Sequence, residues 1–205
     1  VNGPDSAGDI VAQSGTLNMS SSTYTQTAGT TKLTGGAFSS TTNINIQGGT
    51  LAGSGTVTGP VIVSGTGALS PGLSAGALNL AGTYSQTALG AFNVELGGLL
   101  GTQYDHADTT GAATLAGSLN VSLINAFSPA PGDSFTVMTY PSHTGTFTLN
   151  TPGVACVGWT ATYGATTLAL TAAPVPRELT GLTLLANKTD LVWDAAPAYT
   201  GTVYD

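Results

Sequence analysis

The densest group of side chains that could perform chemistry is the segment Gln103-Tyr104-Asp105-His106-Ala107-Asp108. An Asp–His–Asp group is of a type that binds metal ions or exchanges protons. Neighbouring residues of a β-strand point to opposite faces, however, so Asp105 and His106 would not face one substrate together. We therefore expect a structural role for this segment.

The remaining polar motifs are typical of turns and strands. Pro131-Gly132-Asp133-Ser134 has the composition of a turn in which Asp133 accepts backbone hydrogen bonds. Ser70-Pro71-Gly72 lacks the flanking residues of a nucleophile elbow, and no segment matches the Gly-Gly-x-Gly-x-Asp calcium repeat. Glu95 is expected to face solvent. The sequence thus predicts no catalytic, cofactor-binding or metal-ligating residue, no cofactor and no enzyme activity.

The composition favours an all-β protein. Charged residues make up only 6% of the chain, which is too few for polar helix faces, and 29 glycines accompany abundant β-branched residues. The net charge is −7, and the three cations are scattered along the chain: Lys32, Arg177 and Lys188. This distribution argues against nucleic-acid binding, and the absence of a long apolar run argues against membrane insertion. The lone Cys156 has apolar neighbours, which indicates a buried thiol.

Two similar blocks indicate an internal repeat. Tyr24-Thr-Gln-Thr-Ala28 and Tyr84-Ser-Gln-Thr-Ala88 lie 84 − 24 = 60 residues apart, which corresponds to three coils of about 20 residues. Short alternating strands such as Phe92-Asn-Val-Glu-Leu96 would point one apolar file inward, including Val94. Residues 7–172 would then form about 8 coils. Tyr24 and Tyr84 are expected inside, although together with Tyr104 they could instead stack on carbohydrate.

Several blocks together resemble the repeat of autotransporter-type β-helical passengers and related bacterial surface adhesins. They are Gly49-Thr-Leu-Ala-Gly-Ser-Gly-Thr-Val57, Ser70-Pro71-Gly72, Gly82-Thr-Tyr-Ser-Gln86, Gly111-Ala-Ala-Thr-Leu-Ala-Gly-Ser-Leu119, Pro131-Gly-Asp-Ser-Phe135 and Gly145-Thr-Phe147. The resemblance implies a right-handed parallel β-solenoid (β-helix) over residues 1–172, exposed outside the cell or on the bacterial surface. It also implies a structural turn at Tyr104-Asp105.

The pattern changes near residue 173. Residues 173–178 are rich in proline, which predicts a stiff linker, and residues 179–205 resemble the opening strands of a fibronectin type III-like sandwich with Trp193 in its core. We expect the chain to be a mature or internal fragment of a longer protein. Asn-x-Ser/Thr sites begin at Asn18, Asn120 and Asn187.

The sequence favours an extracellular structural protein, acting as a stalk or a filament subunit. Self-association into fibres through solenoid ends or the C-terminal segment is the expected partnership. The alternative is a cell-surface adhesin that binds a glycan or host surface. A polysaccharide-degrading β-helix enzyme is less favoured, because such enzymes need paired carboxylates or a base with cationic neighbours. Outward threonine files, such as those at Thr30-Thr31 and Thr41-Thr42, are ordinary polar strand positions rather than an ice-binding surface.

Overall fold

A computed structural model of the chain describes residues 5–6, 8–19, 22–154, 157–175, 182–184 and 191–193. The chain divides into two compact units, Val1–Pro174 and Val175–Asp205. Its fold is all-β, and the described residues contain no helix.

The strands follow one another in short steps along the chain. In order they are β1 (Asp5–Ser6), β2 (Ile10–Ala12), β3 (Thr16–Met19), β4 (Tyr24–Gln26), β5 (Thr30–Ser40), β6 (Ile44–Ile46), β7 (Thr50–Thr58), β8 (Val61–Val63), β9 (Ala68–Pro71), β10 (Ala77–Ala81), β11 (Tyr84–Gln86), β12 (Ala91–Leu96), β13 (His106–Thr109), β14 (Ala113–Leu115), β15 (Ser118–Leu123), β16 (Ser134–Thr139), β17 (His143–Gly145), β18 (Thr148–Asn150), β19 (Val157–Tyr163), β20 (Thr167–Pro174), β21 (Leu182–Leu184) and β22 (Leu191–Trp193).

The first unit contains a sheet of seven strands in the order β1-β4-β6-β8-β11-β14-β17. Every pairing in this sheet is parallel. Consecutive members are separated along the chain by strands of the other sheet, so the chain leaves and returns to this sheet once in each pass.

The second sheet contains two further parallel ladders, joined through the long strands β5 and β7. The first part of β7 pairs with β9 and its last part with β10, while the two halves of β5 pair with β2 and β3. The passes therefore build three ladders: the first sheet, the ladder from β2 to β18, and the ladder from β3 to β16. Strands β5 and β7 each belong to the last two ladders, and the last pass adds only β17 and β18.

The sixty residues between the two tyrosine blocks correspond to three passes. Tyr24 pairs with Ile44, Ile44 with Val61, and Val61 with Tyr84. Later passes are longer, because Tyr84 pairs with Ala113 (113 − 84 = 29) and Ala113 with His143 (143 − 113 = 30). The first sheet therefore has seven strands, one for each pass. The predicted number of about 8 coils assumed a constant length of about 20 residues and was slightly too high.

Alternating side chains from the three ladders fill the interior. In β12 the burial pattern makes Phe92, Val94 and Leu96 inward, with Asn93 and Glu95 on the outer side. Phe92 pairs with Leu69 on one side and Leu119 on the other, so apolar side chains lie over one another from pass to pass. The inward orientation predicted for Val94 is confirmed, since only 1% of its surface is exposed.

The stacking of parallel strands ends at a β-hairpin. Strand β20 pairs antiparallel with β16 on one side and with β19 on the other. The Trp159 ring lies 6.1 Å from the Phe135 ring, and the Tyr163 hydroxyl accepts a 2.9 Å hydrogen bond from the Phe147 backbone N–H. These two contacts attach the β19–β20 hairpin to the preceding strands of the first unit. Ala173 and Pro174, which the sequence placed in the linker, are the last two residues of β20.

In the second unit, β21 and β22 form an antiparallel pair. The fibronectin-like prediction is not tested by this pair, and the surroundings of Trp193 and Cys156 lie outside what the structure describes.

Replacing Val94 with Asp should strongly destabilise the first unit, because a carboxyl group would enter an interior filled mainly by apolar side chains. We expect a loss of roughly 4 kcal/mol in the free energy of unfolding. Thr114, exposed on β14, provides the matched control, and Thr114→Asp should change stability by less than about 0.5 kcal/mol. Equal denaturant midpoints for the two variants would contradict the inward assignment.

Candidate functional site

The predicted polar segment places its residues on different sides of the backbone. Asp105 is buried, with 2% of its surface exposed. One carboxylate oxygen accepts a hydrogen bond from the Gly76 backbone N–H at 2.9 Å, and the other accepts one from the Glu95 N–H at 2.9 Å. The Asp105 N–H in turn donates to the Glu95 carbonyl at 2.9 Å. Asp105 therefore fastens two neighbouring loops to strand β12.

Burial has a clear electrostatic effect on this carboxyl group. Loss of hydration raises the pKa of Asp105 to about 7, and the nearby Glu95 adds to the rise, although the two backbone donors oppose it. A pKa near neutrality is a property of many acid–base catalysts. Here the carboxylate oxygens point at backbone donors, so the group acts as a fastener of the chain.

His106 and Asp108 lie on the outer side of β13, away from the buried position of Asp105. The His106 Nε2 atom is 3.3 Å from the Asp108 carboxylate, whose other oxygen accepts a 2.7 Å hydrogen bond from the Thr139 hydroxyl. The alternation expected for Asp105 and His106 is thus observed. Among the described residues, no group of three or more His, Cys, Asp or Glu side chains is placed to hold a metal ion.

Two buried Tyr–Gln pairs, Tyr24–Gln26 and Tyr84–Gln86, form what we call the Tyr–Gln clasps. In the second, the Tyr84 hydroxyl donates to the Gln86 Oε1 at 2.6 Å. The Gln86 amide nitrogen donates to the Gly90 carbonyl at 2.9 Å and to the Ser118 carbonyl of the next pass at 3.1 Å. The side chain therefore binds two successive passes together at a corner.

The first clasp makes the same type of contact. The Gln26 amide nitrogen lies 3.0 Å from the Gly29 carbonyl and 3.1 Å from the Gly48 carbonyl, and its Oε1 accepts a 2.7 Å hydrogen bond from Thr31. The Tyr24 hydroxyl lies 2.7 Å from the Thr31 hydroxyl. The buried position predicted for both tyrosines is confirmed. Ile44 and Val61 separate them in the ladder, so the two rings do not stack on each other.

Glycine is required where the corners pass beside the clasps. Gly49 and Gly117 have φ angles of +69° and +72°. A Cβ atom at Gly49 would lie 2.0 Å from the Gly29 carbonyl oxygen, and one at Gly117 would lie 2.4 Å from the Gly90 carbonyl oxygen. Both the backbone conformation and the close approach of the preceding pass thus exclude a side chain.

On the outer side of the ladder from β2 to β18, amide side chains form a second polar line. The Asn93 amide nitrogen donates to the Ser70 hydroxyl at 3.0 Å, Asn120 donates to Asn93 at 2.9 Å, and Asn150 donates to Asn120 at 2.8 Å. We call this line the amide ladder. It links four successive passes, and the sequence analysis did not identify it.

The amide ladder bears on the glycosylation motifs. The Asn120 amide nitrogen and oxygen are both engaged within the ladder, so a glycan on that nitrogen would crowd its contact with Asn93. Asn18 is exposed on β3. Asn187 lies outside the described residues.

The other predicted positions have structural contacts. The Asp133 carboxylate accepts a 2.7 Å hydrogen bond from the Ala130 backbone N–H, which confirms the predicted turn. Tyr104 packs edge-on against Phe135 at 5.5 Å between ring centroids, and is therefore partly withdrawn from solvent. Glu95 lies half-buried on the outer side of β12.

No protein-family model matches this chain, and the search of curated proteins also finds no match. In the part of the chain that the structure describes, no helix is long and apolar enough to cross a membrane. The clasps and Asp105 make hydrogen bonds to backbone groups, and the side chains of the amide ladder make hydrogen bonds to side chains of neighbouring passes.

Replacing Gln86 with Met should lower the free energy of unfolding by about 2 to 3 kcal/mol, because the Gly90 and Ser118 carbonyls would lose their donor. The exposed Gln47 supplies a control of the same chemistry, and Gln47→Met should have little effect on denaturant unfolding. Similar losses for both variants would show that the clasp contributes no special stability.

The raised pKa of Asp105 gives the fold a defined pH dependence. Since the folded protein binds this proton more tightly than the unfolded chain, stability from this group is greatest below about pH 4 and falls as the pH rises toward 7. The expected fall is about 2 to 4 kcal/mol across that window.

Comparing wild type with Asp105→Asn tests this assignment. The variant should remove this component of the pH slope, whereas Asp108→Asn, on the outer side of β13, should leave it in place. Unfolding curves between pH 4 and 8 give the slope directly. An unchanged slope in Asp105→Asn would assign the effect to another group.

Proposed function

We propose that the first unit is a right-handed parallel β-solenoid that serves as an extracellular structural element of a bacterial surface protein, as a stalk or a filament subunit. The parallel pairing of successive passes in three ladders supports the solenoid assignment. The right-handed sense follows the strong preference of crossover connections between parallel strands.

The functional proposal rests mainly on one observation: buried polar side chains make hydrogen bonds between passes of the chain. Gln26, Gln86 and Asp105 are among the described buried polar side chains, and each makes a hydrogen bond to a backbone group of a neighbouring pass. An active site requires polar side chains that converge on a substrate-binding pocket. Groups that instead bind pass to pass suit a protein whose task is to hold its shape.

The outer surface supports the same proposal. The amide ladder satisfies the Asn93 and Asn120 side chains within the protein, and charge is sparse along the chain. The resemblance of the Gly49–Val57 and Gly111–Leu119 blocks to surface β-helical repeats adds the expected location outside the cell. A glycan-binding adhesin would use the same scaffold with a surface site, and the experiment below distinguishes it.

Electron microscopy of the purified full chain, combined with antibody labelling of intact source cells, tests the proposal. We expect surface labelling, together with ordered filaments or uniform short rods. Absence of label on intact cells, with label after permeabilisation, would contradict the extracellular location.

A parallel activity measurement separates the alternatives. Wild type should bind no array glycan and cleave no polysaccharide. Glycan binding by the folded monomer would support the adhesin instead. Polysaccharide cleavage that His106→Ala abolishes without unfolding the protein would establish an enzyme.

A further inference from the structure

We propose that the free edge of β19 is a homodimerisation surface, on which β19 of a second copy pairs antiparallel about Ala161. This inference goes beyond the proposed function and does not depend on it, because it concerns one edge of the first unit.

The first observation is that β19 is an unprotected edge strand. Among the described residues, β19 pairs along one side with β20, and on its other side only Val157 has a partner, through an isolated bridge to Val154. Its seven residues, Val-Gly-Trp-Thr-Ala-Thr-Tyr, contain no charge and no proline. Exposed sheet edges are usually shortened or protected by lysine, proline or bulges. The edge strands β17 and β18, by comparison, have only three residues each.

The second observation fixes which backbone groups face that edge. The Ala172 N–H donates to the Asp133 carbonyl at 2.8 Å, and the Ala172 carbonyl accepts from the Gly132 N–H at 2.7 Å. Both groups of Ala172 therefore point toward the β16 side. Trp159 lies opposite Ala172, so these two residues form a non-hydrogen-bonded pair between β19 and β20.

Alternation along the strand then orients the rest of β19. The N–H and C=O groups of Trp159, Ala161 and Tyr163 point away from β20, while those of Gly158, Thr160 and Thr162 point toward it. Val157 follows the same alternation, since its N–H donates to Val154 rather than to β20. Three donors and three acceptors thus face the edge at two-residue spacing.

The third observation is that this edge is complementary to itself. An antiparallel copy centred on Ala161 places Trp159 opposite Tyr163 of the second copy and Thr160 opposite its Thr162. Both members of each Trp–Tyr and Ala–Ala pair then present their backbone groups to each other, which an isologous two-fold interface requires. Aromatic pairs meet on one face and threonine pairs on the other, and both combinations stabilise antiparallel strands.

The absence of charged residues on β19 and its incomplete burial allow a second copy to pair there. The chain carries a net charge of −7, so two copies would meet most readily along an edge that carries no charge. Trp159, Ala161 and Tyr163 are only partly buried against the core, and the buried Trp159 indole N–H has no hydrogen-bond partner among the described residues. An added strand would extend the existing sheet and cover these side chains.

Sedimentation of the full chain over a concentration series tests the proposal, with two charge variants at exposed positions of β19. Wild type should show a monomer–dimer equilibrium. Thr160→Lys with Thr162→Lys places lysines of the two copies opposite each other and should weaken the dimer at least tenfold, by about 1.4 kcal/mol or more. Thr160→Lys with Thr162→Asp places opposite charges together and should restore it.

Thr114→Lys with Thr144→Lys adds the same charge at exposed positions of the first sheet, and should leave the dimer unchanged. Circular dichroism confirms that each variant is folded. A wild type that remains monomeric at every concentration would overturn the proposal. So would a dimer that survives the double-lysine change, or one that the Lys–Asp variant fails to restore, because the register about Ala161 would then be wrong.

Discussion

The structure of the first unit depends on parallel backbone pairing between one pass of the chain and the next. A three-residue strand such as β6 or β8 cannot bury its inward side chains alone, and gains both hydrogen bonds and cover only from its neighbours in the ladder. Because pairing is parallel, equivalent positions lie over one another at a spacing of about 4.8 Å. Ile44, Val61 and Tyr84 therefore lie in one line, although the chain between them differs in length.

This constraint also governs the polar residues. An interior that repeats at each pass leaves corner carbonyls beside the core, where water cannot reach them, and such groups need donors. Gln26 and Gln86 supply donors from inside, and the Asp105 carboxylate accepts from N–H groups at another corner. On the outer side, the amide ladder uses the same stacking to satisfy asparagine side chains. The same side-chain chemistry that elsewhere builds active sites is used here for cohesion.

Local alternation and the sixty-residue repeat made much of this predictable from sequence, including the three passes from Tyr24 to Tyr84. The pairing beyond Tyr84 was not predictable in this way. The all-β class, the buried tyrosines and the opposed directions of Asp105 and His106 follow from a period of two. That period also places Gln26 inward whenever Tyr24 is inward, a signal for the clasps that was overlooked. The lengthened passes after Tyr84 and the reversal at β20 depend on loop contacts and on pairing with β16, which no local pattern encodes.

Spin-label distances along the outer side of the first sheet test the central claim most directly. Thr25 is four pairings from Thr114 and five from Thr144. With Cys156 replaced by Ser, labels at Thr25 and Thr114 should lie about 19 Å apart, and labels at Thr25 and Thr144 about 24 Å apart. Parallel stacking predicts that moving the second label from Thr114 to Thr144, thirty residues further along the chain, increases the distance by about one strand spacing. Equal separations, or an increment of 10 Å or more, would contradict it.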